Sequence, residues 1–281
     1  MTGASKVLAV PSVLLPVFPG TNGEYDMARA FEKAGGSIRH LVFRNRNPSE
    51  IAASFEEFKA AIGESQIIAF SGGYSLGSGK FITAVLRHPA IAGAITEFLE
   101  KQDGLILGIC DGFQALVKSG LLPYGRLGPA GGSPALDSSA SPIAPPAFGD
   151  NAIGRHVSRM VQTRVMPSNT PWLSLDEVGS IHTVPVSHSQ GRLVISRVEA
   201  ESLFASGQVP FCYADAAGNP ATGEPDNPSG SAFAIEALSS PDGRILGKMS
   251  HPERSGDFVH INIPGNKTPR IFEAALRYFK G

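Results

Sequence analysis

Strand-like and helix-like spacings alternate through the first half of the chain. Residues 7–18 are apolar and rich in β-branched side chains, and the turn Pro19-Gly20-Thr21-Asn22-Gly23 ends them, which predicts a first β-strand. Met27, Ala30, Phe31 and Ala34 then recur at helical spacing, so residues 24–35 read as a helix that stops at Gly35-Gly36. Further strands are expected over 38–43, 66–70 and 104–107. Helices are expected over 48–62, 81–86, 91–101 and 113–118, with His88-Pro89 separating the second from the third. Strands and helices in alternation, joined by short connections, predict an α/β fold: a mainly parallel sheet covered by helices on both faces.

The pattern breaks at 128–150. This stretch, GPAGGSPALDSSASPIAPPAFGD, has little to bury and reads as a surface loop of low order. A linker between two independent domains is the weaker reading, because the candidate chemistry below draws on both sides; one domain over 1–281 is expected. Beyond it the chain is richer in β-structure, with short strand candidates at 159–165, 182–188, 193–196, 210–215, 232–237 and 245–249. Turn signals such as Gly218-Asn219-Pro220 and Pro241-Asp242-Gly243 separate them, and an amphipathic helix over 268–279 closes the sequence.

Composition narrows the classes. The 281 residues are 42% hydrophobic and 17% charged, with a formal net charge of −1. Nothing in that balance points to nucleic acid or an anionic membrane surface. No apolar run approaches the length of a membrane span. The apolar N-terminal region is interrupted by Pro11 and Pro16 and lacks a small-residue cleavage site, so a strand is expected there rather than a signal peptide. The two cysteines, Cys110 and Cys212, have no disulfide-framework or zinc-like spacing. A reduced, cytoplasmic setting and no metal are expected.

Gly108-Ile109-Cys110-Asp111-Gly112 follows an apolar strand and opens a helix, the setting that a G-x-nucleophile-x-G elbow requires. The helix N-terminus would place backbone N–H groups beside the sulfur and favour thiolate. A small buried hydrophobe is the alternative for Cys110, and the two flanking glycines speak against it. Cys212, in PFCYAD, reads as core. A thiolate also needs a base and a group that orients it. Among seven histidines, His251 ends the last strand candidate and lies in His251-Pro252-Glu253-Arg254. In an extended segment residues two apart share a side, which lets Glu253 reach the imidazole. His40, His88, His156, His182, His188 and His260 lack such a setting and read as surface or satisfied core residues. Ser71-Gly72-Gly73 directly follows a strand candidate. Backbone N–H groups at Gly72 or Gly73, with that of Asp111, can form an oxyanion hole, or the segment is a plain glycine turn.

At these residues the chain resembles the glutaminase domain of phosphoribosylformylglycinamidine synthase, a class I glutamine amidotransferase. The matching pieces are FPGTNGEYDMARAFEKAGG, GICDGFQALVKSGLLPYG, IGRHVSRMVQTRV, HTVPVSHSQGRLV, NPSGSAFAIEALSSPDGRILGKMSHPER and IPGNK, spread over nearly the whole length. Cys110-x-Gly-x-Gln marks the amidotransferase class; SPDGR and GKM-x-H-x-ER point to the family. The resemblance implies a flavodoxin-like sheet flanked by helices. It also implies that Cys110 attacks the side-chain amide of glutamine, that His251 shuttles the proton and Glu253 orients it, and that water hydrolyses the resulting thioester. Gly72, Gly73, Asp111 and Gln114 would contact the substrate. Ammonia would pass to an ATP-dependent synthetase, as subunit or fused domain, that converts formylglycinamide ribotide to its amidine in purine biosynthesis. The chain has no P-loop pattern, so ATP and Mg are expected to belong to the synthetase and no cofactor to this chain.

Several positions depart from the family. Asp111 stands where Asn is usual, and a carboxylate there opposes ionisation of Cys110. Pro252 replaces Ser, Ser189-Gln190 replace Gly-Glu, and the segment after Gly73 looks shortened. Asp111 and the altered loops motivate a second reading, a non-catalytic interaction module that keeps the fold; a third, another cysteine hydrolase or peptidase on the same fold, stays open because elbows are shared between chemistries.

Overall fold

The computed structural model describes residues 10–73, 79–128, 144–256 and 258–280. The first half runs β1 (Ser12–Val17), α1 (Glu24–Lys33), β2 (Ser37–Val42), α2 (Pro48–Gly63), β3 (Ile67–Phe70), α3 (Lys80–Leu86), α4 (Pro89–Lys101), β4 (Leu105–Ile109), α5 (Asp111–Ser119) and the short α6 (Leu121–Tyr124). The second half adds β5 (Ala147–Gly149), β6 (Val157–Val165), β7 (Ile181–His188), β8 (Arg192–Val194), α7 (Arg197–Ala205), β9 (Phe211–Ala214), β10 (Ala237–Ser239), β11 (Ile245–Lys248) and α8 (Ile271–Lys280). The alternation expected for the first half is present, with boundaries shifted by a few residues. The strand expected over 7–18 is described from residue 12, residues 1–9 lying outside the described set.

The main sheet has the order β10-β11-β4-β3-β1-β2. Its neighbours run parallel, except that β10 is antiparallel to β11. Every residue of β3, β4 and β11 is buried, as central strands covered on both faces require, while the edge strand β2 is largely exposed. Phe18, Phe43, Phe58, Phe70 and Phe81 pack as rings near the carboxyl ends of β1 and β3. β11 from the second half lies directly beside β4 from the first, so the main sheet joins sequence on both sides of 128–150. The remaining strands form an antiparallel three-stranded sheet, β7-β6-β9, and a β5–β8 pair.

Local chemistry explains both the agreements and the differences. Helix α2 begins where the Asn47 side chain accepts from the Glu50 N–H at 3.0 Å, with Pro48 in the first turn. Helix α7 was not expected from the pattern, yet it carries an N-terminal signal: Ser196 accepts from the Glu199 N–H at 3.2 Å, in a Ser-x-x-Glu sequence. That cap ends the strand expected over 193–196 at Val194. The strand expected over 232–237 is instead a helical turn over Ala232–Ala234, with φ of +54° at Phe233 and +57° at Ala234, and the strand starts at Ala237. Asn227 binds both the N–H and the carbonyl of Ser231, and the Ser231 hydroxyl donates to the Ile235 carbonyl at 2.6 Å. Side chains there satisfy backbone groups that a strand would otherwise have paired. Of the loop expected over 128–150, residues 129–143 lie outside the described set, and Ala147–Gly149 is a strand paired with β8 rather than loop.

The Ser196 cap gives a direct check. Ser196→Ala should lower stability by about 1 kcal/mol in urea unfolding, with the denaturant slope unchanged.

Candidate active site

Cys110 sits between β4 and α5 with φ +53° and ψ −107°. That conformation is strained for a residue with a Cβ, and the surroundings hold it there. Its N–H donates to the Lys248 carbonyl on β11 at 2.9 Å, and its carbonyl accepts from the Gln114 N–H at 3.0 Å, the opening bond of α5. Both flanking glycines are needed for close approach. A Cβ on Gly112 would lie 2.2 Å from the Phe70 carbonyl oxygen, and one on Gly108 would lie 2.8 Å from the Gly112 backbone. The elbow expected from Gly-Ile-Cys-Asp-Gly is therefore formed, with Cys110 at the carboxyl end of a central parallel strand, where open α/β sheets place their ligands.

β11 runs parallel to β4 in a register that pairs Lys248 with Ile109. Three residues past Lys248, His251 thus arrives at the same sheet end as Cys110. Its N–H donates to the Pro185 carbonyl on β7 at 2.8 Å, and the imidazole Nδ1 lies 2.7 Å from Glu253 Oε1. The expectation that the two residues share one side of an extended segment does not hold. They lie in a turn closed by the Arg254 N–H on the His251 carbonyl at 3.1 Å, and its curvature brings the carboxylate to the ring.

Gly72 marks the meeting point. A Cβ there would be 2.9 Å from His251 Cε1 and 3.2 Å from Cys110 Cβ, so the imidazole and the cysteine flank one small space. Gly73 is packed against the turn that follows β1: a Cβ would lie 2.3 Å from the Gly20 carbonyl oxygen. Asp111 occupies the first turn of α5 and is buried. Gln114 is buried as well. Its Nε2 donates to the Gln190 carbonyl at 2.6 Å, while Oε1 has no hydrogen-bond partner among the described residues. The structure thus brings Cys110, His251, Glu253 and Gly72 together and sets Gly73, Asp111 and Gln114 on the segments that border them.

Electrostatics favour a charged His251. Burial opposes the imidazolium, but the Glu253 carboxylate and the Cys110 sulfur outweigh it and raise the pKa to about 10. Nε2, the nitrogen not bound to Glu253, makes no geometrically ideal hydrogen bond among the described residues.

Sequence reasoning missed three supporting features. Glu236 and Lys248 are fully buried partners on adjacent segments: Lys248 Nζ donates to Glu236 Oε2 at 2.5 Å and lies 3.6 Å above the Phe211 ring. The other carboxylate oxygen, Oε1, accepts from the Ser250 N–H at 2.8 Å, so the pair fixes the backbone one residue before His251. Burial pushes the Lys248 pKa down, against the pull of Glu236. The signal was present, since a single charge interrupts each of two apolar runs, AIEAL and ILGKM. His188, expected to be a surface or satisfied core residue, is buried beside the site. Its Nδ1 lies 3.0 Å from Asn151 Oδ1, while Nε2 has no hydrogen-bond partner among the described residues. Burial and the nearby His251 and His156 lower its pKa to about 4, so it is neutral at physiological pH. Ser187, just before it, places its carbonyl 3.9 Å from Cys110 Sγ. Cys212 is buried on β9, in line with a core residue, and burial raises its pKa to about 12.

With this geometry, comparison with known proteins decides the family. The CobB/CobQ-like glutamine amidotransferase domain matches residues 10–279. The chain belongs to that family. This amidotransferase is 31% identical to phosphoribosylformylglycinamidine synthase subunit PurQ of Rhodopseudomonas palustris (strain BisB18), over 84% of this chain and 86% of that protein. It is 32% identical to human phosphoribosylformylglycinamidine synthase, over 87% of this chain and 18% of that protein. At this identity and coverage it groups with the PurQ subunits. A chain in the structure of PurLQS from Thermotoga maritima superposes with a TM-score of 0.66 at 23% identity, covering 96% of this chain and all of that one, and so has the same fold.

The buried pair behind His251 should be sensitive to loss of one partner. Glu236→Gln leaves Lys248 buried without its counter-charge and is expected to cost about 3–5 kcal/mol in chemical unfolding. The double variant Glu236→Leu, Lys248→Met should recover most of that loss.

Proposed function

We propose that this amidotransferase is the glutaminase component of phosphoribosylformylglycinamidine synthase, and that Cys110, His251 and Glu253 act as its catalytic triad. The observation that carries the reading is the strained Cys110 turn set against an imidazole whose other face is bound to a carboxylate. PurQ relatives, named as subunits of phosphoribosylformylglycinamidine synthase and matched over most of their length, support this assignment. The same reading treats 1–281 as one amidotransferase domain, because β4 and β11 belong to one sheet, and has it work in the cytoplasm.

The chemistry follows from the charges. With His251 protonated, Cys110 is available as thiolate and attacks the side-chain amide carbon of glutamine. The developing oxyanion would be held by backbone N–H groups of Gly72 or Gly73 and of Asp111. Collapse of the tetrahedral adduct breaks the C–N bond, and His251 gives its proton to the departing nitrogen, releasing ammonia. Neutral His251 then takes a proton from water, which attacks the thioester; glutamate leaves and the thiolate–imidazolium pair is restored. Glu253 holds the ring through Nδ1 and stabilises its positive form. The Gln114 amide, whose Oε1 has no hydrogen-bond partner among the described residues, is placed to accept from the substrate. Ammonia then serves the ATP-dependent synthetase, which uses Mg and converts formylglycinamide ribotide to its amidine.

Glutamate release in the presence of the synthetase tests the reading. Cys110→Ala should reduce it by more than about 10³-fold, and a glutamine-mimicking electrophile should label Cys110 selectively. Absence of glutamate from the intact protein with its synthetase would refute the reading. The pH profile checks the role of Glu253. Its carboxylate raises the His251 pKa, so Glu253→Gln lets burial dominate and lowers it. The alkaline limb of the wild-type profile, set near pH 10 by His251, should move down by more than about 2 pH units in the variant.

A further inference from the structure

Ser189, Gln190 and Gly191 join β7 to β8, and β8 pairs with β5 so that Arg192 lies opposite Gly149. That pairing sets Asn151, two residues past β5, against the turn. Asn151 is 3% exposed, and its side chain uses all of its hydrogen-bonding capacity. Nδ2 donates to the carbonyls of Arg155 at 3.0 Å and His188 at 2.8 Å, and Oδ1 accepts from the Gly191 N–H at 2.9 Å. The fourth bond runs to His188 Nδ1 at 3.0 Å, which carries the proton because Oδ1 can only accept. The Asn151 N–H adds a bond to the Ser189 carbonyl at 2.9 Å.

One side chain and one amide thus bind residues 188, 189 and 191 and pass over 190. The Gln190 carbonyl goes instead to Gln114, accepting from Nε2 at 2.6 Å. This contact decides the sense of the Gln114 amide. Turned over, its oxygen would face another oxygen. As it stands, Nε2 is used, and Oε1, buried and without a hydrogen-bond partner among the described residues, is left to accept. Two further contacts steady the arrangement. Gln190 Nε2 donates to Asp150 Oδ1 at 2.8 Å, and the Phe148 ring of β5 meets that of Phe113, the neighbour of Gln114, edge to face with centroids 4.9 Å apart.

We propose that Asn151 is a positioning residue for the substrate pocket: by fixing the turn 189–191 it holds the Gln114 amide with its oxygen toward the bound glutamine. The inference rests on the glutaminase reading above and adds to it what orients the substrate contact. Without Asn151 the Gln190 carbonyl loses its fixed place, the Gln114 amide is free to turn, and glutamine binds more weakly. Cys110 and His251 are held through β4, β7 and β11, so the nucleophile and its base keep their geometry.

The test uses the full chain with the synthetase of the same organism and reads kcat and KM for glutamine. Alkylation of Cys110 by iodoacetamide, followed by mass, reports on the nucleophile without a bound substrate. Asn151→Ala should raise KM more than about 10-fold, with kcat within about 3-fold and the alkylation rate within about 2-fold of wild type. A double-variant cycle separates positioning from plain support. Gln114→Ala should raise KM by itself, and adding Asn151→Ala to it should change KM by less than about 2-fold, because the amide that Asn151 orients is gone. Asn151→Asp keeps the shape and the bonds to the Gly191 N–H and His188 Nδ1 but loses both donations to carbonyls; it runs the same cycle where Asn151→Ala does not fold. If the Asn151 variant leaves KM unchanged, lowers kcat and the alkylation rate together, or multiplies the effect of Gln114→Ala, the inference is overturned while the glutaminase reading stands. If wild type with its synthetase releases no glutamate, both fall.

Discussion

The parallel pairing of β11 with β4 is the constraint on which the site depends. Cys110 leaves β4 and His251 follows β11, so the register that sets Lys248 opposite Ile109 decides how far the imidazole is from the sulfur. A slip of one residue would move every side chain of β11 to the other face of the sheet. The register is held by complete burial of both strands and by the Cys110 N–H bonded to the Lys248 carbonyl. Strain at Cys110 is tolerated for the same reason. Gly108 and Gly112 let α5 and β3 come too close for the turn to relax.

Around this pairing the protein invests buried charge. Glu236 and Lys248 are removed from water against the Phe211 ring, where an apolar pair could fill much the same space. What an apolar pair lacks is the carboxylate oxygen that holds the Ser250 N–H. The antiparallel sheet contributes similarly from the other side: β7 offers the Pro185 carbonyl to His251 and the Ser187 carbonyl to Cys110. The expected nucleophile and base are thus clamped between two sheets that are distant in sequence.

Much of this was legible in the sequence. The alternation of strand and helix spacings, the glycine-flanked Cys110 after an apolar strand, and the His251-Pro252-Glu253 run are local signals, and local physics fixes them: side-chain period, glycine freedom and helix capping act within a few residues. Even the unexpected α7 had its Ser196-x-x-Glu199 cap in plain view. Tertiary structure alone decided which strands pair. It placed β10 and β11 in the main sheet and the intervening strands in another, turned 232–234 into a helical turn through side chains of Asn227 and Ser231, and curved residues 251–254 so that Glu253 meets the ring. It also matched two solitary charges, Glu236 and Lys248, whose attraction matters only once water is excluded. Those outcomes depend on contacts between residues far apart along the chain, and no local pattern carries the energy of a contact whose partner lies in another segment.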